Sequence, residues 1–257
     1  MATLMLAQMR HREILNHLKN SGGTRVAALA RAMRVTEETI RRDLQKLEKE
    51  GRLVRTHGGA LPVLDARYDP PFNERRTARL DAKRRIASSA LTHIAENDII
   101  AVDASSTAFE LIRRLPDIPL TVITNALPAA AALQDYTRVR VISTGGVLDQ
   151  RSMSLVGSLA EDALDRFNIN KVFLSAKGVD IARGLSESVE EHARIKRRMA
   201  EIAERVILLS DHSKFGLRST IFFADLSAID LVITDSDTHS EFLEALRERD
   251  TPVEIAT

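Results

Sequence analysis

Residues 99–115, IIAVDASSTAFELIRRL, decide the fold class, because a short polar loop joins a strand pattern to a helix pattern. The apolar run ends at Asp103, small polar residues follow, and apolar residues then recur at helical spacing. Six further strand-like runs occur downstream, with amphipathic patterns between several of them. Short buried strands that alternate with helices indicate an α/β domain with a largely parallel sheet.

The predicted strands are DIIAVD (98–103), LTVITN (120–125), VRVIST (139–144), KVFLSA (171–176), RVILLSD (205–211), IDLVIT (229–234) and PVEIA (252–256). Helices are predicted over residues 80–95, 127–134 and 190–203, and one opens at the DASST loop.

The first 62 residues have a different organisation. Helical spacing predicts helices over residues 10–20, 25–33 and from residue 37, with Thr24 and Thr36 capping the second and third. The third helix has Ile40, Leu44 and Leu47 on its core face and is expected to stop at Gly51. RLVRTHGGA then predicts a strand, a glycine turn and a second strand. This order predicts a winged helix-turn-helix domain over residues 1–62.

The charge distribution agrees with a domain that binds a polyanion. Residues 1–62 hold 12 Lys and Arg against 6 Asp and Glu, whereas residues 63–257 hold 25 against 30. The third helix points a polar set away from its core, where Arg would pair with guanine edges and Gln with adenine in the major groove. That set is Thr36, Glu37, Thr39, Arg41, Arg42 and Gln45. Arg42, Lys46, Arg55 and His57 are candidates for phosphate contacts or a wing in the minor groove.

Two alternatives stay open for this domain. The charged helix face could be merely solvated, although helix spacing, wing and charge together favour DNA binding. Asp43 would repel phosphate if it faced DNA, so it either pairs with a neighbouring Arg and orients it, or accepts a hydrogen bond from a base.

Residues 63–80 are predicted to be a linker, because Pro70 and Pro71 favour an extended chain and apolar periodicity is weak. The second domain is predicted over residues 81–257. The chain has no Cys, which excludes disulfides and thiolate metal sites and fits a reducing cytoplasm. No apolar run approaches the roughly 20 residues of a membrane span. We therefore expect a cytoplasmic protein.

Polar residues gather where five predicted strands end, and in a parallel sheet these ends meet at the ligand-binding edge. A helix start such as DASST also favours an anion, and Lys214 can supply the full charge that a phosphate needs. An ordinary Ser/Thr helix cap and a solvent-exposed Lys177 are the alternatives. The candidates for ligand binding are Asp103, Ser105, Ser106, Thr107, Thr124, Asn125, Gly145, Gly146, Lys177, Asp180, Asp211, Ser213 and Lys214.

VTEETIRRDLQKLEKEGRLVRTHGGA (35–60) resembles the signature of the DeoR family of bacterial transcriptional regulators. The matching positions are Thr39, Ile40, Arg41, Arg42, Asp43, Leu44, Leu47, Gly51, Arg55, His57, Gly58, Gly59 and Ala60. The second domain is similar to the same family at Asp103/Ser106/Thr107, Thr124/Asn125, Gly145/Gly146, Lys177/Gly178 and Asp211/Ser213/Lys214/Phe215/Gly216. The resemblance implies DNA binding by Thr36 to Lys46 and the wing, an effector domain with a fold like ribose-5-phosphate isomerase, and a phosphorylated sugar as effector.

Two positions depart from the family pattern. Ser105 stands where the family has Gly, and Lys177 stands where it has an acid. The variant DASST…LPDI…TN resembles the branch that includes the fucose-operon regulator, which favours a deoxyhexose-type sugar phosphate. The replacement of an acid by Lys177 leaves the exact sugar open.

The rival hypothesis is a sugar-phosphate isomerase fused to a DNA-binding domain. An isomerase needs a carboxylate base and a group that stabilises the enediolate. The loop SAKGVD (175–180) lacks the acidic pair of the isomerases that the domain resembles, although Asp103, Asp180, Glu187 and Asp211 remain available. No metal spacing among the His residues and no cofactor motif is found. A scaffold with an empty pocket is the third alternative. The favoured prediction is a sugar-phosphate-responsive regulator, a repressor rather than an enzyme, that acts as a homodimer or homotetramer.

Overall fold

The computed structural model describes residues 7–21, 24–49, 52–56, 58–62 and 70–257. The chain divides into two compact units, Met1–Tyr68 and Asp69–Thr257. The first is called the head unit below and the second the large unit.

The head unit is a small α+β domain. Its elements are α1 (Ala7–Ser21), β1 (Thr24–Arg25), α2 (Val26–Met33), α3 (Glu37–Lys49), β2 (Leu53–Thr56) and β3 (Gly59–Pro62). The strands form an antiparallel sheet in the order β1-β3-β2. Buried apolar residues of all three helices meet over this sheet, among them Ile14, Leu29 and Ile40. This is the predicted winged helix-turn-helix.

The two predicted helix caps have different outcomes. Thr36 caps α3 as predicted, because its Oγ1 accepts a hydrogen bond from the Thr39 N–H at 3.2 Å. The prediction for Thr24 is wrong: Arg25 occupies the N-cap position of α2, since Thr24 and Arg25 pair with β3 as a strand. This pairing is so close that a Cβ at Gly59 would lie 2.1 Å from the Thr24 carbonyl oxygen, so the position needs glycine.

The large unit alternates helices and strands. Its elements are α4 (Phe72–Thr77), α5 (Leu80–Leu91), β4 (Ile99–Val102), α6 (Ser106–Ile112), β5 (Leu120–Thr124), α7 (Leu127–Ala132), β6 (Val139–Ser143), β7 (Val147–Asp149), β8 (Ser154–Val156), α8 (Ser158–Leu164), β9 (Ile169–Leu174), β10 (Gly178–Asp180), β11 (Gly184–Glu187), α9 (Glu190–Ile202), β12 (Ala203–Leu209), β13 (Ile221–Ala224), β14 (Leu231–Asp235), α10 (Ser240–Arg247) and β15 (Val253–Ala256).

The seven predicted strands form one sheet in the order β15-β14-β12-β9-β4-β5-β6. Every neighbouring pair in this sheet is parallel. The α/β prediction is therefore confirmed. The chain runs outward from β4 in one direction and from β9 in the other, so the topological switch point lies between these two strands. Ligands of open parallel sheets bind at this point.

Helices cover both faces of the sheet. On one side, Ile100 and Val102 of β4 pack in a core with residues of α5, α6 and α7. On the other side, Ala101 of the same strand packs in a second core with residues of α8, α9 and α10. Burial on both faces explains why the inner strands β4, β5 and β14 are dominated by buried apolar residues, whereas the edge strands β6 and β15 carry exposed residues.

The linker prediction is wrong from residue 70 onward. Phe72 begins helix α4 and is buried, and its ring makes an edge contact with Phe109 at 5.3 Å between centroids. Its N–H also donates to the Arg151 carbonyl at 2.9 Å. These contacts with distant residues fold the segment onto the large unit, and local sequence pattern cannot show them. Gly51, His57 and residues 63–69 lie outside the described residues.

Two smaller sheets lie beside the main one and are absent from the sequence prediction. β7 and β8 form an antiparallel hairpin, and β10, β11 and β13 form a three-stranded antiparallel sheet. The loop SAKGVD therefore continues into strand β10, and Glu187 stands at the end of β11. These additions bring residues from distant parts of the chain to the switch point.

Candidate functional site

The loop after β4 lies at the switch point and is fixed by Asp103. Asp103 accepts hydrogen bonds from the N–H of Ser105 and, across the switch point, from the N–H of Ser175, both at 3.1 Å. The Ser105 hydroxyl accepts from the Ala108 N–H at 3.1 Å and so caps α6. Ser105 is thus an N-cap, the commoner of the two roles that the sequence allows.

A buried lysine of α9 holds this loop to the small sheet. The Lys196 ammonium lies 3.1 Å from Asp103, donates to the Ser175 carbonyl at 2.7 Å, and forms an ion pair with Glu187. Burial alone would lower the pKa of Lys196, but Glu187 and Asp103 outweigh it and raise the pKa. Burial likewise raises the pKa of Glu187, but Lys196 reverses this and holds that pKa below its usual value.

A pocket opens beside this ion pair and encloses about 310 Å³, including space open to solvent. The polar side chains that line it are Arg75, Asp103, Asn125, Glu187, His192 and Lys196. Two carboxylates, an amide, a guanidinium, an imidazole and an amine offer both hydrogen-bond donors and acceptors, as a polyhydroxylated ligand requires.

Several polar atoms of the pocket lack a partner. Asn125 donates to the Leu155 carbonyl at 3.0 Å, yet its Oδ1 is buried without a hydrogen bond to any described residue. Nε and Nη2 of Arg75 are buried in the same unsatisfied state. His192, by contrast, is oriented by Asp149, whose Oδ2 lies 3.1 Å from its Nε2. Buried polar groups are nearly always paired, so these atoms have room for a partner from outside the chain, such as a water, an ion or a ligand.

A second cluster surrounds the loop after β12. Ser213 donates both its N–H and its hydroxyl to Asp211 Oδ1, whereas Asp211 Oδ2 is buried without a hydrogen bond in the described chain. Arg79 Nε lies 3.8 Å from Asp211 Oδ1, and the Lys83 ammonium donates to the carbonyls of Arg75 and Ala78.

Burial and neighbouring cations together depress the pKa values of two lysines in this second cluster. Burial lowers the pKa of Lys83 to about 7, with further lowering by Lys214, Arg79 and Arg75. Burial also lowers the pKa of Lys214 to about 8, and Lys177 adds to the effect. Asp211 opposes both shifts but does not cancel them.

The two clusters are electrostatically coupled, since Glu187 acts on Lys214 and Arg75 acts on both Glu187 and Lys83. Together they hold six cationic side chains against three carboxylates. The cations are Arg75, Arg79, Lys83, Lys177, Lys196 and Lys214, and the carboxylates are Asp103, Glu187 and Asp211. Lys83, Lys177 and Lys196 are buried, whereas Arg75, Arg79 and Lys214 are half-buried. The excess of cations over carboxylates suits an anion that enters from the half-buried side.

The structure brings some of the predicted ligand residues together. Asp103 and Asn125 line the pocket, and Lys177, Asp211 and Lys214 belong to the cationic cluster. Ser106 and Thr107 are buried in the first turn of α6.

Other predicted residues are engaged in the fold. Thr124 donates to the Val102 carbonyl at 2.8 Å. Gly145 and Gly146 have positive φ, and a Cβ at Gly146 would lie 2.6 Å from the Val156 carbonyl oxygen, so packing of the hairpin accounts for that glycine. The assignment of Asp180 is a correction: its carboxylate accepts from the N–H groups of Ala182 and Arg183 and pairs with the exposed Arg218 at 2.6 Å.

Sequence analysis missed Arg75, Arg79, Lys83, His192 and Lys196 as site residues. Two of them carried a usable signal. Lys83 lies on the buried stripe of α5, three residues before Ile86, and Lys196 lies three residues before Met199 on the buried stripe of α9. A lysine within an apolar helical stripe must be paired or must meet a ligand.

In the head unit, the predicted DNA-facing residues of α3 share one exposed face. Thr36, Glu37, Arg41, Arg42, Gln45 and Lys46 are exposed and Thr39 is half-buried. Arg41 pairs with Glu37 at 2.7 Å and Arg42 with Glu38 at 3.1 Å. Arg55 of β2 is exposed, and its N–H donates to Glu48 at 3.1 Å, which ties the wing to α3.

Asp43 is buried and faces α1 rather than the exposed side of α3. Its Oδ1 lies 3.1 Å from Arg10 Nη2 and 2.9 Å from His11 Nε2. Burial alone would raise the pKa of Asp43, but hydrogen bonds from Arg10 and His11 lower it. Asp43 therefore orients an Arg, although the partner belongs to α1, and the alternative of a base contact does not fit this geometry.

Comparison with known proteins decides the family. A model described as the DeoR C terminal sensor domain matches residues 78–236, and one described as the DeoR-like helix-turn-helix domain matches residues 10–63. The chain belongs to the DeoR family. It is 41% identical over 245 residues to the HTH-type transcriptional regulator YulB of Bacillus subtilis, with 95% of each chain covered.

Other relatives of similar length are known regulators. This DeoR-family chain is 36% identical to the regulator GlpR of Haloferax volcanii over 94% of its own length and 95% of the relative's. It is 40% identical to the L-fucose operon activator of Haemophilus influenzae over 86% of its own length and 89% of the relative's. The prediction of a DeoR-family helix-turn-helix regulator is confirmed.

Among solved structures, ribose 5-phosphate isomerase A of Methanocaldococcus jannaschii has a TM-score of 0.40 and 18% identity over 53% of this chain and 54% of that chain. A similarity of this size says nothing about catalysis. Among the described residues, no helix is both long enough and apolar enough to cross a membrane.

Proposed function

We propose that this DeoR-family regulator represses a carbohydrate-catabolism operon and that a phosphorylated sugar intermediate relieves the repression. The observation that carries the proposal is the excess of cationic side chains over carboxylates, six against three, around the carboxyl ends of β4, β9 and β12. A phosphate group supplies the negative charge that this cluster lacks.

The two clusters suit the two ends of such a ligand. The cationic cluster of Arg79, Lys83 and Lys214 faces Asp211 and would take the phosphate. The pocket beside Lys196 offers carboxylate and amide acceptors, which suit sugar hydroxyls. A relative named for the L-fucose operon supports a deoxyhexose-type sugar phosphate as the first compound to test.

DNA recognition is assigned to the exposed face of α3 and to Arg55 of the wing. Base edges in the major groove accept hydrogen bonds from Arg, and phosphates attract the remaining basic residues. Operators for such domains consist of paired half-sites, so the working protein is proposed to be a homodimer or homotetramer. The effector must favour one arrangement of the protein over another to change its affinity for DNA.

The DNA assignment predicts that Arg41→Ala weakens binding to duplex DNA by about tenfold, since a good Arg–base pair contributes roughly 1–3 kcal/mol. Arg12→Ala is the matched control, because Arg12 is exposed on α1, outside the proposed face. Fluorescence anisotropy with labelled DNA measures both variants. Equal losses in the two variants would remove the assignment of α3.

An isomerase activity is the competing proposal, and the electrostatics disfavour it. Asp103 and Glu187 are both held by Lys196, and the pKa of Glu187 is lowered. A general base works best when its pKa lies near the operating pH, so this carboxylate is a weak base. Turnover of pentose or hexose phosphates in a coupled assay would support the isomerase instead.

The effector proposal is tested by thermal shift with sugar phosphates and the corresponding free sugars, because a ligand of the native state raises the melting temperature. We expect the phosphorylated compounds alone to stabilise the protein and Lys214→Met to abolish that response. Lys171→Met is the control, since Lys171 pairs with Asp98 at the opposite end of the strands. A Lys214→Met protein that responds as the wild type does would contradict the proposed site.

A further inference from the structure

We propose that Arg75 of α4 is itself a ligand of the effector anion, so that the effector fixes the segment by which the large unit is joined to the head unit. The inference rests on the proposed function, since it names a further residue of the same site and the way in which the site acts on the chain.

The first argument is the state of the Arg75 guanidinium. It lines the pocket with Asp103, Glu187 and Lys196, yet its Nε and Nη2 are buried and donate no hydrogen bond to any described residue. Leaving buried charged donors unpaired is costly. The planar guanidinium can donate two parallel hydrogen bonds to a phosphate or carboxylate, which a lysine cannot do.

The second argument is that the carboxylates that line the pocket beside Arg75 already form ion pairs with another side chain. Glu187 and Asp103 both pair with Lys196. Across the pocket, the buried Oδ1 of Asn125 is an unused acceptor within the described chain. The pocket therefore has unused donors and an unused acceptor together, and an anion that also carries hydroxyl groups satisfies both.

The third argument is that α4 depends on contacts with the rest of the large unit. The helix has only six residues, and so short a helix is not stable without outside contacts. Phe72 anchors its start against Phe109. Its end is held by the Lys83 ammonium, which donates to the carbonyls of Arg75 and Ala78.

Lys83 belongs to the cationic cluster, and its charge interacts there with Asp211, Lys214, Arg79 and Arg75. Burial lowers the pKa of Lys83 to about 7, so near neutral pH part of the population lacks the ammonium that holds α4. An anion in the cluster favours the charged form of Lys83 and pairs with Arg75 at the same time. Both effects stabilise α4 in its present position.

Because α4 is close in sequence to the head unit, an effect on α4 can also change the head unit. Only residues 63–71 separate α4 from β3, the last strand of the head unit. An effector that immobilises α4 therefore fixes the point from which the chain leaves the large unit towards the head unit. This is a differential effect on the conformations of the protein, as an effector that changes DNA affinity must have.

The test measures hydrogen exchange of residues 70–80 in the full chain with and without inorganic phosphate, at constant ionic strength set with chloride. Three variants are compared with the wild type: Arg75→Gln removes the charge, Arg75→Lys keeps it, and Arg76→Gln alters the exposed neighbour on the same helix. We expect phosphate to slow exchange in the wild type and in Arg76→Gln but not in Arg75→Gln. The dissociation constant of phosphate should rise about tenfold in Arg75→Gln and less in Arg75→Lys.

The outcomes separate this inference from the proposed function. Phosphate binding with equal protection of residues 70–80 in wild type and Arg75→Gln overturns the inference and leaves the proposed site intact. Wild-type protein that phosphate neither stabilises nor protects overturns both. If Arg75→Gln does not fold, Arg75→Lys still tests the inference. In Arg75→Lys, phosphate must then protect residues 70–80 from exchange less than it does in the wild type.

Discussion

Two buried clusters of charge, one in each unit, differ in how completely their groups are paired. In the head unit, Asp43 is matched by Arg10 and His11, and its pKa is lowered. In the large unit, Arg75 and Asp211 keep buried atoms without hydrogen bonds in the described chain, and burial lowers the pKa of Lys214 to about 8. A fully paired cluster stabilises its own unit. An incompletely paired cluster lowers stability but leaves charged groups that can bind a ligand, as proposed above.

The largest effect is expected in the paired cluster. Asp43→Asn removes the negative charge that Arg10 and His11 contact and should lower the free energy of unfolding by about 3 kcal/mol, because hydrogen bonds to charged groups contribute roughly 1.5–3 kcal/mol each. Urea unfolding followed by circular dichroism measures the loss. A loss below 1 kcal/mol (about the value of an exposed pair) would show that Asp43 does not tie α3 to α1.

The unpaired cluster predicts a change of the opposite sign. Lys214→Met removes a half-buried cation with depressed pKa and should raise the free energy of unfolding by about 1 kcal/mol in buffer without phosphate. Lys171→Met should lower it, since Lys171 is paired with Asp98. If both substitutions lower stability equally, Lys214 has a partner in the unliganded protein and the contrast between the clusters fails.

The smallest effect is expected on the exposed face of α3. The Arg42–Glu38 pair is largely exposed, so Glu38→Gln should change stability by only about 0.3–0.5 kcal/mol. Binding of duplex DNA should nevertheless improve, because Arg42 is released and a negative charge is removed. Anisotropy titrations at two salt concentrations check both the direction and the salt dependence. Unchanged DNA binding would argue that Arg42 lies outside the interface.

Sequence pattern predicted the main sheet well because its signals are local. The inner strands β4, β5 and β14 are dominated by buried apolar residues, and burial on both faces makes such runs recognisable. The exposed residues of α3 that are proposed to contact DNA were also placed by helical spacing alone. Short antiparallel strands such as β10 and β11 were not predicted, since they are stabilised by pairing with other strands and not by a local sequence pattern.

The candidate site was predicted only where it follows the ends of strands. Asp103, Asn125 and Lys214 were named as candidates because parallel strands end at one edge, and the structure places all three beside the two clusters. Arg75 and Lys196 were not, because α4 and α9 reach the site by tertiary packing. Asp180 was assigned wrongly for the converse reason: it follows a strand of the main sheet in sequence, but β10 directs it to a turn with Arg183.

The central claim is that the amines of Lys83 and Lys214 in the large unit bind an anion. Calorimetry at pH 8 tests this claim most directly. Phosphate is then almost wholly dianionic, while Lys83 and Lys214, with pKa values of about 7 and 8, are partly deprotonated. Binding of phosphate raises both pKa values, so protons must be taken up. Titrations in two buffers of different ionisation enthalpy should show proton uptake, reduced in Lys83→Met. Phosphate binding without proton uptake, or with release, would contradict the account.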